Sequence, residues 1–103
     1  MSLETIEFTV AAAGTRKPAA RAHYGVVGSG DLEVLLEPKA GDAAVSVKIV
    51  TPVTGFDALW KRVIEHFVGE TGLTATSIEI NDNNASPAVV ALRLRQALAE
   101  AQA

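Results

Sequence analysis

From Glu4 to Val10 the chain alternates, setting Ile6, Phe8 and Val10 against Thr5, Glu7 and Thr9, the period of two that marks a half-buried strand. A turn-rich stretch, Ala13 through Pro18, interrupts it. Alternation then resumes with Ala20, Ala22, Tyr24 and Val26 opposite Arg21, His23 and Val27, which predicts a second strand. After Gly28-Ser29-Gly30-Asp31 a third strand places Leu32, Val34 and Leu36 on one side, and Pro38 ends it because proline cannot donate to a ladder. Val45, Val47 and Ile49 alternate with Ser46 and Lys48 in a fourth. Short links between these four predict an antiparallel meander with one covered face.

The period then lengthens, because Phe56, Leu59, Trp60, Val63, Ile64, Phe67 and Val68 recur at three- and four-residue spacing after Thr54-Gly55. This predicts an amphipathic helix ending near Gly69 or Gly72. A short alternating piece around Ile78 and Ile80 reads as a fifth strand. Ser86-Pro87 then supplies a capping hydroxyl and a first-turn proline, ahead of an apolar stripe of Val90, Leu94, Ala97, Leu98 and Ala101. Val90, Leu92 and Leu94 alternate with Ala91, Arg93 and Arg95 as a strand would, but the alanine-rich tail favours helix. The expected architecture is an α+β two-layer sandwich, a mainly antiparallel sheet of four to five strands with two helices, and residues 1–103 form a single domain.

Composition narrows the chemistry. Of 103 residues 49% are apolar, 18 of them alanine, so the core available is thin. There is no cysteine, which excludes a disulfide framework, a thiolate zinc site and a cysteine nucleophile. A net charge of −3 with acids and bases interspersed offers no basic stripe for nucleic acid or an anionic membrane. The apolar runs fall far short of the ~20 residues of a spanning helix, and the Met1-Ser2-Leu3-Glu4 start has no signal layout. A soluble cytoplasmic protein is expected.

The distinctive segment is Gly25-Val26-Val27-Gly28-Ser29-Gly30-Asp31, between two strands expected to pair. Ser-Gly or Gly-Ser at the centre of a two-residue loop suits the primed turns, which need positive φ. Ser29 is thereby placed at a hairpin tip with an accessible hydroxyl. A purely structural tight turn accounts for Gly-Ser-Gly equally simply. A phosphate-cradling loop fits poorly, since such loops lead into a helix and a strand follows here.

The run VGSGDLEVLLEP, Val27 to Pro38, resembles the signature of the acyl carrier (delta) subunit of bacterial malonate decarboxylase. The likeness extends to Glu4-Thr5-Ile6-Glu7-Phe8, to Val50-Thr51-Pro52-Val53, to the helix around Trp60, to Ile78-Glu79-Ile80-Asn81-Asp82, and to Ala85-Ser86-Pro87 with Val89-Val90-Ala91-Leu92-Arg93-Leu94. It departs at Asn83-Asn84, where the family has an aromatic-glycine pair, and at Ala91, where a basic residue is frequent. The resemblance implies that Ser29 carries 2'-(5''-phosphoribosyl)-3'-dephospho-coenzyme A through a phosphodiester, with Gly28, Gly30 and Asp31 as the supporting turn. It also implies that the thiol of that group bears acetyl or malonyl during decarboxylation of malonate to acetate and carbon dioxide. The implied partners are acyl transferase and decarboxylase subunits and a prosthetic-group transferase, the carrier itself being non-catalytic.

Other constellations are weaker. A Ser29-His23-Asp31 triad can be written, but six extended residues separate His23 from Ser29 by about 20 Å, which removes a hydrolase. His23 reads as a solvent-facing strand residue and His66 as a helix-flank residue, and no His and carboxylate cluster has metal-ligand spacing. Asp31 either assists modification of Ser29 or bonds its own turn. Arg93 and Arg95 could contact phosphates of the arm but read rather as solvated helix residues, and Trp60 and Phe67 read as core. Asp31, Glu33 and Glu37 are the acids nearest the arm, where partners would dock. Two competing functions stand beside the carrier: a small interaction or scaffold module, and a citrate lyase-type acyl carrier, which the Leu-Glu-Val-Leu-Leu-Glu-Pro continuation disfavours.

Overall fold

The structure, a computed structural model, describes residues 3–102. Its elements are β1 (Glu4–Val10), β2 (Ala22–Gly25), β3 (Asp31–Pro38), β4 (Val45–Thr51), α1 (Asp57–Thr71), β5 (Thr76–Asn83) and α2 (Pro87–Gln102). The strands form one sheet in the order β1-β4-β5-β3-β2. Every adjacent pair is antiparallel except β4 and β5, which run parallel because the α1 crossover carries the chain back to the end of the sheet where β4 began. The α+β class and two helices match expectation.

Register explains why one face is covered. Ile6 pairs with Ile49, Ile49 with Ile80 and Ile80 with Val34, so an unbroken apolar row crosses four strands. A second row runs Phe8, Val47, Ile78, Leu36 and Ala22. Both helices lie against these rows, Trp60, Ile64, Phe67 and Val68 from α1 and Val90, Leu94, Ala97, Leu98 and Ala101 from α2, in one buried cluster. The opposite face carries Glu7, Lys48, Glu79, Leu35 and His23 in register, and among the described residues no helix lies over it. Gly72, left-handed at φ 70, closes α1, and Ser86 Oγ accepts the Val89 N–H at the start of α2.

The meander is not formed. β1 pairs with β4 and β3 with β5, so β2 with β3 is the one antiparallel pairing of consecutive strands among the described residues, β4 and β5 pairing parallel. The piece around Ile78 and Ile80 is an eight-residue central strand, inserted between β3 and β4, and its length was masked by polar Thr76 and Asp82 on the inward positions. The second strand is also shorter than its alternation suggests. Gly25 has φ +92 and a Cβ there would stand 2.3 Å from the Leu32 carbonyl, so the ladder stops at Gly25 and leaves Val26 and Val27 exposed.

The β2–β3 connection and the loops that enter both helices gather at one end of the sheet. β4 and β5 finish there, β3 begins there with Asp31 opposite Asn83, and the connections 52–56 and 84–86 lead directly into α1 and α2.

Candidate functional site

Ser29 is the fourth of the five residues joining β2 to β3, and it lies four residues from each member of the last cross-strand pair, Gly25 with Glu33. It is exposed. The Asp31 N–H donates to the Gly28 carbonyl at 3.0 Å, closing a turn in which Gly30 has φ +73 and Ser29 keeps an ordinary negative φ. This corrects the expected primed two-residue loop: the connection is five residues, 26–30, and its turn has the type II sense. The physical reason is a bond out of the hairpin, because the Gly30 N–H donates to the Asn83 carbonyl of β5 at 2.8 Å.

Space on both sides of Ser29 is open. A Cβ at Gly30 would meet nothing within 4 Å, and one at Gly28 only the Val26 Cγ2 at 3.9 Å. Gly30 is needed for its backbone angle, but Gly28 adopts no left-handed angle and touches nothing that a methyl would displace. The turn around the exposed Ser29 is therefore uncrowded at both of its flanking residues.

Asp31 secures the downstream arm of this turn. Its Oδ1 accepts the Leu32 N–H at 2.7 Å and Arg93 Nε at 3.0 Å, while Oδ2 accepts Arg93 Nη2 at 2.8 Å. The side-chain bond from Arg93, then that from the Leu32 amide, holds the Asp31 carboxyl below the usual aspartate range. Arg93 Nη1 donates to Gln96 Oε1 at 2.9 Å, and the guanidinium stands 6.0 Å from the Tyr24 ring centroid. The reading of Arg93 as a solvated helix residue is thus corrected: a fork-shaped donor meets a carboxylate brought to it by the β3 start, 62 residues away in the chain. Arg95 is exposed, 3.8 Å from Glu70.

The remaining candidates are engaged elsewhere. His23 Nε2 and Glu33 Oε2 are 2.8 Å apart on the uncovered face, and Asn81 Nδ2 donates to Glu33 Oε1 at 2.8 Å. Those bonds, His23 first, lower the Glu33 carboxyl. With Asp31 on Arg93 and His23 on Glu33, no Ser29-His23-Asp31 relay is assembled. His66 lies 3.1 Å from Glu70, and Arg21 is 3.9 Å from Glu37. Among the described residues no group of three His, Cys, Asp or Glu could hold a metal ion.

One feature at this end escaped sequence reasoning. A half-open cleft of about 160 Å³ lies between the starts of α1 and α2, walled by Phe56, Leu59, Trp60 and Val90 and floored by Thr51 and Asp82. Asp82, almost fully buried, accepts the Thr51 hydroxyl at 2.8 Å and the Asn84 and Ala85 N–H groups at 3.2 and 3.0 Å. The available signal was a carboxylate on an inward position of β5, two residues beyond Ile80. Asn84 has φ 65, which favours glycine and which asparagine tolerates, so the departure from an aromatic-glycine pair keeps the backbone path.

The family model ACP: Malonate decarboxylase delta subunit (MdcD) matches residues 19–101. The chain belongs to this family. It is 56% identical over 80 residues to the malonate decarboxylase acyl carrier protein of Malonomonas rubra, covering 78% of this chain and 71% of that one. It is 46% identical over 99 residues to the protein of the same name from Pseudomonas aeruginosa UCBPP-PA14, covering 96% and 97% of the two chains. Its fold superposes with a TM-score of 0.84, at 39% identity, on a chain of a crystal structure of a Pseudomonas malonate decarboxylase hetero-tetramer in complex with malonate, covering 95% of this chain and 98% of that one. Among the described residues no helix is long and apolar enough to cross a membrane.

Proposed function

We propose that this member of the malonate decarboxylase acyl carrier family bears its prosthetic group on the Ser29 hydroxyl, joined as the phosphodiester of phosphoribosyl-dephospho-coenzyme A. The observation that carries the reading is the surroundings of Ser29: an exposed residue in the β2–β3 loop, open space at both flanking glycines, and His23 committed to Glu33 rather than to it. A carrier needs this arrangement, since the modifying enzyme brings the catalytic groups and must close over the hydroxyl. When bound, the group supplies the thiol on which malonyl is decarboxylated to acetyl, which this cysteine-free chain lacks.

The chain's own residues position and present. Asp31 and Arg93 fix the β3 side of the turn, Gly30 supplies the left-handed angle and a tie to β5, and exposed Val26 and Val27 leave the upstream side free. In this reading residues 1–103 act as one non-catalytic, cytoplasmic carrier domain. Acyl transferase and decarboxylase subunits act on the loaded arm, and a prosthetic-group transferase installs it.

The test is intact mass after co-expression with the prosthetic-group transferase of the same system. One added group on the wild type and none on Ser29→Ala supports the assignment; an equal addition to Ser29→Ala overturns it. The scaffold alternative predicts instead that Ser29→Ala leaves decarboxylation by the assembled complex intact.

A further inference from the structure

We infer that the cleft between α1 and α2 is a resting site for the thiol-bearing end of the arm, taking its neutral amide and acetyl-thioester portion and excluding its phosphates and a malonyl end. This rests on the carrier reading of Ser29. The cleft begins where the Ser29 loop is tied down: the Gly30 N–H donates to the Asn83 carbonyl, and Asn84 and Ala85, the next two residues, form the rim.

The lining selects the ligand by charge complementarity. Phe56 and Leu59, 49% and 37% exposed, present uncovered apolar surface, and Trp60 and Val90 continue it inward. The floor offers oxygen acceptors, the Asp82 carboxylate above all. A carboxylate has about four lone-pair positions, and Asp82 uses three on Thr51, Asn84 and Ala85. An amide N–H suits the one that remains. Among the described residues no lysine, arginine or histidine lines the cleft, so neither a phosphate nor the free carboxylate of a malonyl group finds a cation there, and the latter would face Asp82. Arg93, which meets the loop's end at Asp31, is committed to Asp31 and Gln96.

Size points to a fragment rather than the whole group. The cleft holds about 160 Å³, whereas sites for drug-sized ligands hold ~300–1,000 Å³. A short apolar fragment binds weakly by itself. Tethering changes this, because a flexible link to Ser29 raises the local concentration to the mM range, enough to populate a site of mM affinity. The consequence is a charge-dependent release: the acetyl arm rests against the protein, and exchange of acetyl for malonyl expels it toward the partners.

Trp60, the sole tryptophan, reports on the cleft directly. Carrier that intact mass shows to be fully loaded should, in the acetyl form, change Trp60 emission and shift the Asn84 and Ala85 amide resonances relative to unloaded protein. The malonyl form should return both toward the unloaded values. Free pantetheine added to unloaded protein should produce the same shifts at mM concentration, weakened about fivefold or more by Leu59→Ser, a position outside the buried cluster, with an unchanged unfolding midpoint confirming that the variant folds. Ala85→Phe, which fills the rim, should abolish them. Full loading without any change at Trp60, Asn84 or Ala85, or equal changes for acetyl and malonyl, overturns this inference and leaves Ser29 as the attachment point. Failure to load Ser29 at all overturns both.

Discussion

The two ends of the sheet are held by different means. At the end away from Ser29, the segment after β1 is fastened by main chain: Ala13 N–H to Leu73, Arg16 N–H to Gly72, Thr74 N–H to Arg16 and Ala20 N–H to Ala101. The Ser29 turn has two main-chain bonds, and beside them the loops at this end are tied through side chains, Asp31 with Arg93 and Thr51 with Asp82. Backbone ties survive most substitutions, because every residue but proline can donate one. Side-chain ties depend on particular residues, so an end fastened by them can leave a loop tip free while its base stays fixed, and single substitutions can loosen it.

The largest effect should come from Gly25→Ala, which puts a Cβ 2.3 Å from the Leu32 carbonyl at φ +92 and displaces the base of the loop. A loss of about 3 kcal/mol or more in denaturant unfolding is expected, the upper range for backbone strain; an unchanged midpoint would mean the loop base is not rigid. Thr51→Val keeps the shape but takes one donor from buried Asp82, which should cost about 1.5–3 kcal/mol. Arg93→Ala should speed amide exchange at residues 30–32 and slow modification of Ser29, with global stability falling less than for Gly25→Ala. The matched change at the other end, Arg16→Ala, removes one exposed bond to the Thr71 carbonyl and should leave exchange at Leu73 and Thr74 unaltered. If both arginine variants loosen their loops equally, the contrast between the ends fails.

Acid should act on the same contrast. Asp31 titrates below its ordinary value when folded, so its ties to Arg93 and Leu32 contribute fully above about pH 3.9 and are lost as pH falls through the lowered value. The Leu32 amide should therefore lose protection in acid before Leu73 does. The smallest effect is expected at Gly28→Ala, where φ is ordinary and space is open: stability should stay within about 0.5 kcal/mol.

What sequence reading could reach follows the range of the interactions. β1 and the buried stripe of α2 were legible residue by residue, since alternation and three-four spacing are local, and the accessible Ser29 tip followed from the glycines around it. Sheet order was not legible. Ile78 and Ile80 announce a strand but not that it lies between β3 and β4, because pairing partners are chosen by contacts across the whole chain. Arg93 was read as solvated for the same reason: nothing within a helical turn shows that β3 delivers a carboxylate to it. Asp82 and the cleft required knowing that the starts of two helices meet above one strand end.

The central claim is that Ser29, and no other hydroxyl, carries the arm, and site-resolved mass spectrometry of the loaded carrier measures this directly. Fragmentation of the peptide spanning residues 22–39 should place the whole added mass on Ser29, with Ser46, Ser77 and Ser86 unmodified. An adduct on any of those three, or one that persists in Ser29→Ala, would contradict it.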